Sequence, residues 1–549
     1  MTPLLTRIEN AACAERGITF VGPAGVDAYT SERVSWARLH DDARRMAGAL
    51  QARGIGPGAH VALLGPTSRA FVTAIQATWL TGATVVVLPL PLRLGSIEEF
   101  VSASRSRMLH ADVDLLVADP QLAAFLERRE DDPPFVMLDD LARRCARYDA
   151  PKPDPDGLAI LQFTSGSTAD PRGVMLPHSR LLANVDAATS AARVVPSDDV
   201  VVSWLPLYHD MGLVGLLTIP MLTGTDLVLA APQDFLAAPV RWLRWMSDFR
   251  ATITAGPNFS YALATRALGR VEGLDLSRWR IALNGAEPVD PATVEAFAAA
   301  AAQQGFDPRA VFCAFGMAEL AIAGTFPEPL SGMVTDTVAR DALEHDGRAV
   351  AAADGPGTRR FARLGRPVPG LEMRIVDPLT GTATEERCVG ELEIRGTSVM
   401  TGYYARPDAT DAVFHDGWLR TGDLAYTVEG ELVVCGRMKD LIIVGGRNVL
   451  PEDVERAAAG VDGVRTGNVI AFGAERRTGR EAVVVVAETR ETDVAHLRDA
   501  VAARVRDAVG VPAADVVLVP PGTLAKTSSG KLQRSLCKTR YAEGELVTV

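Results

Sequence analysis

Short apolar runs alternate with amphipathic stretches from about residue 33 to residue 330. The runs His60–Leu64, Ala83–Leu88 and Val113–Val117 predict buried strands, and the stretch Arg69–Leu80 predicts a helix between the first two. A repeat of strand, helix and strand is typical of a largely parallel sheet with helices on both faces. We therefore expect an α/β fold with doubly wound, mostly parallel sheets.

The pattern changes after about residue 365, where short strands alternate polar and apolar residues. The runs Leu371–Val376 and Val389–Arg395 predict a small antiparallel β unit that closes the large domain. A glycine-rich stretch, 437–448, then leads into an α+β unit of about 110 residues, which is large enough to fold by itself. We therefore expect a large domain at 1–437 and a small C-terminal domain at 438–549.

Composition places the chain among soluble globular proteins. Of its 549 residues, 48% are hydrophobic and 23% are charged, and the formal net charge is −12. This negative charge argues against nucleic acid or an anionic membrane as the main partner. The most apolar window, 200–231, is interrupted by Pro206, His209, Asp210 and Pro220, so we expect no membrane span.

The cysteines and the N-terminus indicate the cellular compartment in which the protein is expected. The six cysteines are scattered, with no C-x-x-C pair: Cys13, Cys145, Cys313, Cys388, Cys435 and Cys537. A metal site or a disulfide framework is therefore not expected, and free thiols suit a reducing cytoplasm. The first ten residues show no export signal. We expect a cytoplasmic protein.

A loop rich in hydroxyl residues and glycine follows the predicted strand Leu158–Phe163. It begins at Thr164 and ends near Gly173, and a helix pattern begins near His178. The order of strand, small-residue loop and helix is typical of a phosphate cradle, in which backbone N–H groups and hydroxyls face an anion. On these residues alone, a surface loop that merely needs small residues is an equal alternative, because no Walker pattern occurs in the chain.

Three other predicted strands also end in small residues and one polar group. They run into Pro206–Gly212, Asn284–Val289 and Gly316–Glu319. In parallel sheets, ligands bind where loops leave the carboxyl ends of the strands. These loops and the loop after Phe163 are therefore expected to meet at one site.

Six short motifs, taken in their order along the chain, show a family resemblance that covers nearly the whole sequence. The motifs are Thr164–Thr168, Gly285–Pro288, Phe315–Glu319, Thr421–Asp423, Gly436–Arg437 and Ser529–Lys531. The chain resembles the adenylate-forming superfamily of acyl-CoA synthetases, adenylation domains and luciferases. Within it, Trp204–Gly212, Ala318 before Glu319, and the ending Lys526–Arg540 most resemble the fatty acyl-AMP ligases.

One segment, 338–363, lies where these ligases carry a family-specific insertion that is proposed to disfavour transfer to coenzyme A. It is rich in Ala, Asp and Gly and has little periodicity. Such a composition predicts an exposed insertion.

The resemblance implies a reaction in two halves. A carboxylate attacks the α-phosphate of ATP to give acyl-adenylate and pyrophosphate, and a thiol then displaces AMP. The implied partners are a fatty acid and the phosphopantetheine arm of an acyl carrier protein. Two alternatives remain open, namely an acyl-CoA synthetase that uses coenzyme A and a nucleotide-binding regulator without catalysis.

The resemblance also implies a nucleotide site. The residues that would hold ATP or AMP are Thr164, Ser165, Gly166, Ser167, Thr168, Arg172, Gly285, Ala286, Glu287, Phe315, Gly316, Met317, Ala318, Asp423 and Arg437. Asp423 would accept hydrogen bonds from both ribose hydroxyls, since a carboxylate offers only acceptors. Arg172 stands where the family usually has Lys, and a planar guanidinium is not equivalent to an ammonium group. A turn residue is the alternative for Asp423, and a core aromatic is the alternative for Phe315.

The remaining implied roles concern catalysis, the acyl group and motion. Glu319 would hold Mg²⁺, although an acid at a helix N-terminus is the alternative. Lys531 would stabilise charge on the transferred phosphoryl group, although a lone C-terminal lysine is usually a solvated charge. The acyl group would lie beside His209, with Trp204, Met211 and Gly212, all of which have an alternative as structural residues. Lys439 would be the hinge of the small domain.

Overall fold

The computed structural model has an α/β fold with two mostly parallel sheets in its larger part, as the sequence predicts. The residues that it describes are 3–25, 28–90, 97–126, 129–144, 146–152, 154–164, 172–475, 481–527 and 531–549. Within these residues, no helix combines the length and the apolar character that crossing a bilayer requires.

The first sheet has seven strands. Six neighbouring strands run parallel, and an antiparallel strand forms one edge. In spatial order the strands are Val311–Cys313, Ile281–Asn284, Ile253–Gly256, Val200–Ser203, Asp226–Leu229, Gly17–Pro23 and Tyr29–Ser35. Three of the loops predicted to carry chemistry therefore leave this sheet, from strands that lie within four neighbouring positions.

The second sheet has six strands and contains the predicted phosphate loop. In spatial order the strands are Phe135–Met137, Leu115–Ala118, His60–Leu64, Thr84–Val87, Leu158–Phe163 and Gly173–Pro177. The last strand is antiparallel to Leu158–Phe163. The expected order of strand, loop and helix is wrong here, because Gly173–Pro177 pairs back on the sheet before the helix His178–Ala191 begins. A strand therefore stands between residues 165–171, which lie outside the described residues, and the helix.

Local signals explain why several helices form where the sequence predicts them. Ser68 accepts a hydrogen bond from the N–H of Phe71 at 3.2 Å and so caps the helix Arg69–Leu80. The α-helices of the larger part are Pro3–Ala12, Trp36–Gln51, Arg69–Leu80, Ile97–His110, Pro120–Ala123, Leu138–Arg143, His178–Ala191, Ile219–Thr223, Pro232–Ala237, Val240–Asp248, Asn258–Leu268, Pro291–Ala302, Arg340–Asp346 and Pro407–Val413.

Antiparallel strands follow the two large sheets, as predicted. One sheet contains Leu371–Val376, Gly390–Gly396, Trp418–Val428, Phe414–His415 and Glu431–Arg437. A smaller one contains Phe315–Gly316, Ala323–Phe326 and Arg366–Pro367, and a pair is formed by Thr335–Ala339 and Thr358–Ala362. These strands bring residues far apart in sequence to the same side of the molecule.

The C-terminal unit, residues 441–549, has a core that is separate from the main one. Its strands are Ile442–Val444, Arg447–Val449, Val464–Glu475, Glu481–Thr489 and Ala513–Val519, and its helices are Pro451–Ala459, Val494–Val509 and Arg534–Glu543. A short 3₁₀ turn, Met438–Asp440, connects it to the larger part. The division of the chain into two domains near residue 437 stays a prediction.

The segment 338–363 is more ordered than its sequence predicts. It belongs to a hairpin that carries the helix Arg340–Asp346, and Val338 and Phe361 are buried, so the expectation of an exposed insertion is wrong for most of it. Its exposed stretch is short and lies around residues 350–357. The segment also contacts the C-terminal unit: Glu344 pairs with Arg447, and Arg359 pairs with Asp453 at 2.6 Å.

The pair of Arg359 and Asp453 is buried, with both side chains 4% exposed, and it links the two parts of the chain. Removing one member of a buried pair leaves a charge that is poorly compensated. We expect Arg359→Met to weaken this contact and to raise amide hydrogen exchange in the helix Pro451–Ala459 by about tenfold. Adding Asp453→Leu removes the second charge and should restore much of the protection.

A matched control for this experiment lies on the same strand. Arg360 pairs with Glu295, whose side chain is 49% exposed, and exposed ion pairs contribute little. Arg360→Met should therefore leave exchange in the helix unchanged. Equal exchange in the two single variants would contradict the role given to the buried pair.

Candidate active site

One cavity of about 1950 Å³ lies at the carboxyl edge of the seven-stranded sheet and extends to the C-terminal unit. All four loops predicted to meet contribute to it. The predicted site residues that line it are Thr164, Arg172, Trp204, His209, Met211, Gly285, Ala286, Glu287, Phe315, Gly316, Met317, Ala318, Glu319, Asp423, Arg437, Lys439 and Lys531. The structure thus brings together residues that are separated by up to several hundred positions in the chain.

Four predicted residues, Ser165, Gly166, Ser167 and Thr168, lie outside the described residues, as do Ser529 and Gly530 of the last motif. At the base of the hairpin, the N–H of Thr164 donates to the carbonyl of Arg172 at 3.1 Å. This hydrogen bond holds both ends of the loop at the cavity wall.

Close backbone packing shapes the cavity wall at several of the predicted nucleotide-binding residues. A Cβ atom added to Gly316 would lie 2.0 Å from the carbonyl oxygen of Ile322, and one added to Gly285 would lie 3.0 Å from that of Ala314. Ala286 has a φ of 74°, in the left-handed region that costs a non-glycine residue energy. The aromatic ring of Phe315 is half-buried beside these residues. The wall therefore offers a flat backbone surface and one ring, which suits a planar base.

Asp423 and Arg437 are neighbours across two antiparallel strands. They are paired residues of Trp418–Val428 and Glu431–Arg437, and Nε of Arg437 lies 3.2 Å from Oδ1 of Asp423. Burial raises the pKa of Asp423, and the charge of Arg437 opposes that increase. A buried carboxylate held by one cation keeps acceptor capacity for hydroxyl donors such as those of a ribose.

Glu319 lies in a short 3₁₀ turn, Ala318–Leu320, and its side chain is buried. The hydroxyl of Tyr403 donates to its Oε1 at 2.9 Å, and the guanidinium of Arg172 lies 5.3 Å from the centre of the Tyr403 ring. Burial is the main cause that raises the pKa of Glu319. Glu319 is therefore buried in a short 3₁₀ turn, whereas the alternative was an acid at a helix N-terminus.

Lys531 enters the cavity from the C-terminal unit. Its backbone N–H donates to Oγ1 of Thr527 at 3.1 Å, which fixes the position of the residue. Burial lowers the pKa of Lys531, and the nearby carboxylates of Asp210, Glu287 and Asp423 oppose that decrease. A cation surrounded by three acids beside a nucleotide pocket is not the solvated surface charge that was its alternative.

The loop after Val200–Ser203 leads into a π-helix, Met211–Thr218, a rare form that is frequent at functional sites. His209 faces the cavity just before it, and burial, with the charge of Lys531, lowers the pKa of His209 to about 3. Its imidazole is therefore neutral at physiological pH. Asp210, which the sequence reasoning gave no role, also lines the cavity, and burial raises its pKa.

Two of the residues predicted to contact the acyl group have mainly structural surroundings. Gly212 does not line the cavity, because it packs against the backbone of Pro206, whose carbonyl oxygen would lie 2.2 Å from an added Cβ. The close approach of Pro206 explains why residue 212 is a glycine, and its role at the acyl group stays a prediction. Trp204 reaches the cavity, but its ring stacks on Phe235 with centroids 3.8 Å apart.

Glu287 and Lys439 also lie at the cavity wall. The N–H of Phe259 donates to Oε1 of Glu287 at 2.8 Å, so this carboxylate anchors the start of the helix Asn258–Leu268. Lys439 is in the connecting turn Met438–Asp440, and partial burial lowers its pKa. Its role as a hinge stays a prediction.

The acidic residues of the cavity fit a magnesium ion that arrives with a nucleotide. No group of three or more His, Cys, Asp and Glu residues suited to a metal occurs among the described residues. Mg²⁺ needs no such cage, because it usually binds one or two carboxylates together with phosphates and water. Glu319 supplies one buried carboxylate, and the charge of Asp210 acts on it.

The chain is similar to known proteins of one enzyme family. A family model described as AMP-binding enzyme matches residues 16–404. A putative acyl-CoA synthetase of Caulobacter vibrioides is 37% identical over 99% of this chain and 96% of its own length. The medium-chain-fatty-acid–[acyl-carrier-protein] ligase JamA of Moorena producens is 31% identical over 93% and 90%.

A solved structure from studies of fatty acyl-adenylate ligases of E. coli and L. pneumophila has a TM-score of 0.92 to this chain. Its sequence is 32% identical, and the match covers 99% of this chain and 98% of that one. The fold and the site thus define an adenylate-forming ligase, an enzyme that uses ATP. The chain belongs to the AMP-binding enzyme family, and its resemblance to the fatty acyl-AMP ligases is confirmed.

Proposed function

We propose that the protein activates a fatty acid as acyl-adenylate and transfers the acyl group to the phosphopantetheine thiol of an acyl carrier protein. The observation that carries this proposal is the continuity of the cavity. Its polar part contains Asp423, Glu319 and Lys531, and an apolar part lined by Ile253, Ile281 and other residues opens from it. A nucleotide and an acyl chain can therefore meet at Lys531.

In the proposed first half-reaction, Asp423 binds the ribose and Phe315 packs against the adenine. The loop Thr164–Thr168 with Arg172 binds the β- and γ-phosphates, and Glu319 holds Mg²⁺, which offsets phosphate charge when bound. A carboxylate oxygen of the fatty acid attacks the α-phosphorus, and the bond from that phosphorus to the oxygen bridging to the β-phosphate breaks. Lys531 stabilises the negative charge that develops on the α-phosphate.

Neutral His209 supports this proposal at the acyl side. An imidazole without charge can donate one hydrogen bond to the substrate carboxylate without competing with Lys531 as a second cation. Trp204 and Met211 line the adjoining apolar wall. His209 therefore orients the attacking oxygen and need not transfer a proton.

The proposed second half-reaction requires the C-terminal unit to move. Lys531 occupies the cavity in the structure and would leave it when the unit 438–549 turns about Lys439, so that a thiol can reach the acyl carbon. The thiol gives its proton to solvent, its sulfur bonds to the acyl carbon, and AMP leaves with the electrons of the broken C–O bond. Transfer to a carrier protein is favoured by the similarity to JamA, whose name specifies such an acceptor.

The choice of acceptor is tested directly. Purified enzyme would be given ATP, Mg²⁺, a fatty acid and either coenzyme A or a holo carrier protein, with apo carrier protein as the control. Acylation of the holo protein, with coenzyme A consumed at least tenfold more slowly, is the expected result. Rapid acyl-CoA formation without carrier protein would favour the acyl-CoA synthetase alternative, which the relative from Caulobacter vibrioides supports.

The cysteines bear on the cellular location of the protein. The described cysteines Cys13, Cys313, Cys388, Cys435 and Cys537 are free thiols. Free thiols are typical of a reducing compartment, and we propose a cytoplasmic location.

Asp210 gives a prediction on pH dependence. Its carboxylate opposes the lowering of the Lys531 pKa by burial. In Asp210→Asn the pKa of Lys531 should fall further, so the lysine loses its charge at a lower pH. In the pH profile of kcat/KM for ATP, we expect the decrease on the alkaline side to occur at a pH about one unit lower. A nearby opposite charge has an effect of this size on a pKa.

Pyrophosphate release between pH 6 and pH 10 measures this shift. Asp198→Asn is the matched control, since Asp198 is an exposed acid of the same domain that pairs only with surface Arg278. An alkaline limb at the same pH in wild type and Asp210→Asn would contradict the interaction assigned to Asp210.

A further inference from the structure

The apolar part of the cavity lies against one face of the seven-stranded sheet. Ile253 pairs with Val201 and with Ile281 across neighbouring parallel strands, and Leu283 pairs with Phe312. Paired residues, and residues two apart on a strand, project from the same face of a sheet. All five residues line the cavity. We name this part the acyl branch.

The helix His178–Ala191 covers the acyl branch with small residues. Ala188, Thr189 and, just after the helix, Ala192 line the cavity opposite the sheet. Ala192 packs against the cluster that contains Ile281 and Phe312. Because these alanine side chains are small, they leave space between the helix and the sheet. Larger side chains at the same positions would fill that space.

The length of the acyl branch follows from the strand geometry. It extends from Gly285 at the carboxyl edge to Ile281 at the amino end of the same strand. Four residue steps at about 3.3 Å give a length of about 13 Å. A fully extended chain advances about 3.5 Å for every three bonds, or about 1.2 Å for each bond. The branch therefore accommodates about eleven bonds.

A buried polar cluster lies next to the far end of the acyl branch. Arg280, just before Ile281, donates to the carbonyls of Ala192 at 3.1 Å and Arg193 at 3.0 Å. Its guanidinium also pairs at 2.6 Å with Asp199, whose side chain is 1% exposed, and Thr252 donates to the same carboxylate at 2.7 Å. An alkyl chain that continued past Ala192 would have to displace or desolvate this ion pair, which is unfavourable.

Gly215 of the π-helix lies at the near end of the acyl branch. A Cβ atom added there would meet only Cγ1 of Ile322, at 3.9 Å, so a side chain has room to enter the cavity. Ile322 is adjacent to the Phe315–Glu319 motif, because the N–H of Met317 donates to its carbonyl. The absence of a side chain at Gly215 therefore leaves the entrance of the branch wide.

We propose that the acyl branch binds a medium-chain fatty acid of about twelve carbons, that Ala188 and Ala192 determine which chain lengths fit, and that Gly215 keeps the entrance open. The proposal rests on the proposed function and specifies its substrate. Ala188 and Ala192 are one helical turn apart, or about 6 Å along the branch, which corresponds to about five bonds. The two alanines thus lie at different depths along the bound chain.

A panel of saturated fatty acids from four to eighteen carbons tests the proposal, with pyrophosphate release and acyl hydroxamate formation as readouts. Wild type should prefer about twelve carbons, with kcat/KM for sixteen carbons about tenfold lower. Ala192→Phe should shorten the preferred chain, and Ala188→Phe should shorten it by about five carbons more. Gly215→Val narrows the entrance of the branch and should lower kcat/KM at every chain length, without shifting the preferred length.

The controls separate the possible failures. Ser190→Phe places the same bulk on an exposed position of the covering helix and should leave the preference unchanged. Equal use of twelve and eighteen carbons by wild type would overturn the proposed length, as would an unchanged preference in folded alanine variants. Unchanged kcat/KM at all lengths in Gly215→Val would overturn the role given to Gly215. If wild type releases no pyrophosphate with any acid, the proposed function itself fails and the acyl branch has another role.

Discussion

Acyl-adenylate formation by Lys531→Ala is expected to be about 10³-fold slower than by the wild type. Lys531 is the cation that the C-terminal unit brings between Asp210, Glu287 and Asp423 at the junction of the polar and apolar parts of the cavity. Removing a cation that stabilises a transferred phosphoryl group costs about 10³-fold or more. Fatty-acid-dependent pyrophosphate release measures the loss.

The second half-reaction provides the internal control for Lys531. Preformed acyl-adenylate supplied with holo carrier protein should be used by Lys531→Ala nearly as fast as by the wild type, since the lysine leaves the cavity before transfer in the proposed mechanism. Lys538→Ala, an exposed lysine of the same unit, should match the wild type in both halves. Equal loss in the two half-reactions would show that Lys531 has a different role.

Glu319→Gln is expected to lower kcat/KM for ATP by about 10²-fold. The amide oxygen of Gln can still accept the hydrogen bond from Tyr403, which Glu319 accepts at 2.9 Å, so the turn Ala318–Leu320 should keep its shape. What is lost is the negative charge that would hold Mg²⁺ with the phosphates. Titration of pyrophosphate release with Mg²⁺ should show saturation only at much higher metal concentration.

Tyr403→Phe distinguishes the charge of Glu319 from its positioning. This variant removes the hydroxyl but keeps the ring on which Arg172 stacks. We expect it to lower kcat/KM for ATP less than tenfold, because it leaves the Glu319 charge in place. An unchanged Mg²⁺ requirement in Glu319→Gln would exclude Glu319 as the metal-binding carboxylate.

Local sequence patterns predict where strands and helices form in this fold. They predict less well how these elements pair and pack in space. The helix Arg69–Leu80 has the predicted bounds because a serine cap and a continuous apolar segment specify it locally. The strand Gly173–Pro177 is different. Its pairing with Leu158–Phe163 depends on a contact across the intervening loop, so a prediction from local order alone places the helix directly after the loop. The order of segment 338–363 likewise depends on burial against distant strands.

The same distinction applies to the active site. The family resemblance implies site roles for Glu319, Asp423 and Lys531, and the structure brings all three to one cavity. Tyr403 has no such signal, because it lies 84 residues from Glu319 and meets it only in the folded chain. The sequence shows Asp210 only as an acid that follows His209. Its interaction with the charge of Lys531 becomes apparent only in the folded structure. Tertiary proximity therefore supplies the partners that tune the motif residues.

The seven-stranded sheet separates two properties that many enzymes combine in one place. The proposed chemistry occurs at its carboxyl edge, around Gly285, whereas the proposed limit on chain length lies at its amino edge, around Ala192 and Arg280. Side chains at the amino edge can therefore vary in size without disturbing the residues that bind ATP. Such a division makes selectivity easy to evolve or to engineer, because a change of substrate does not require rebuilding the catalytic residues.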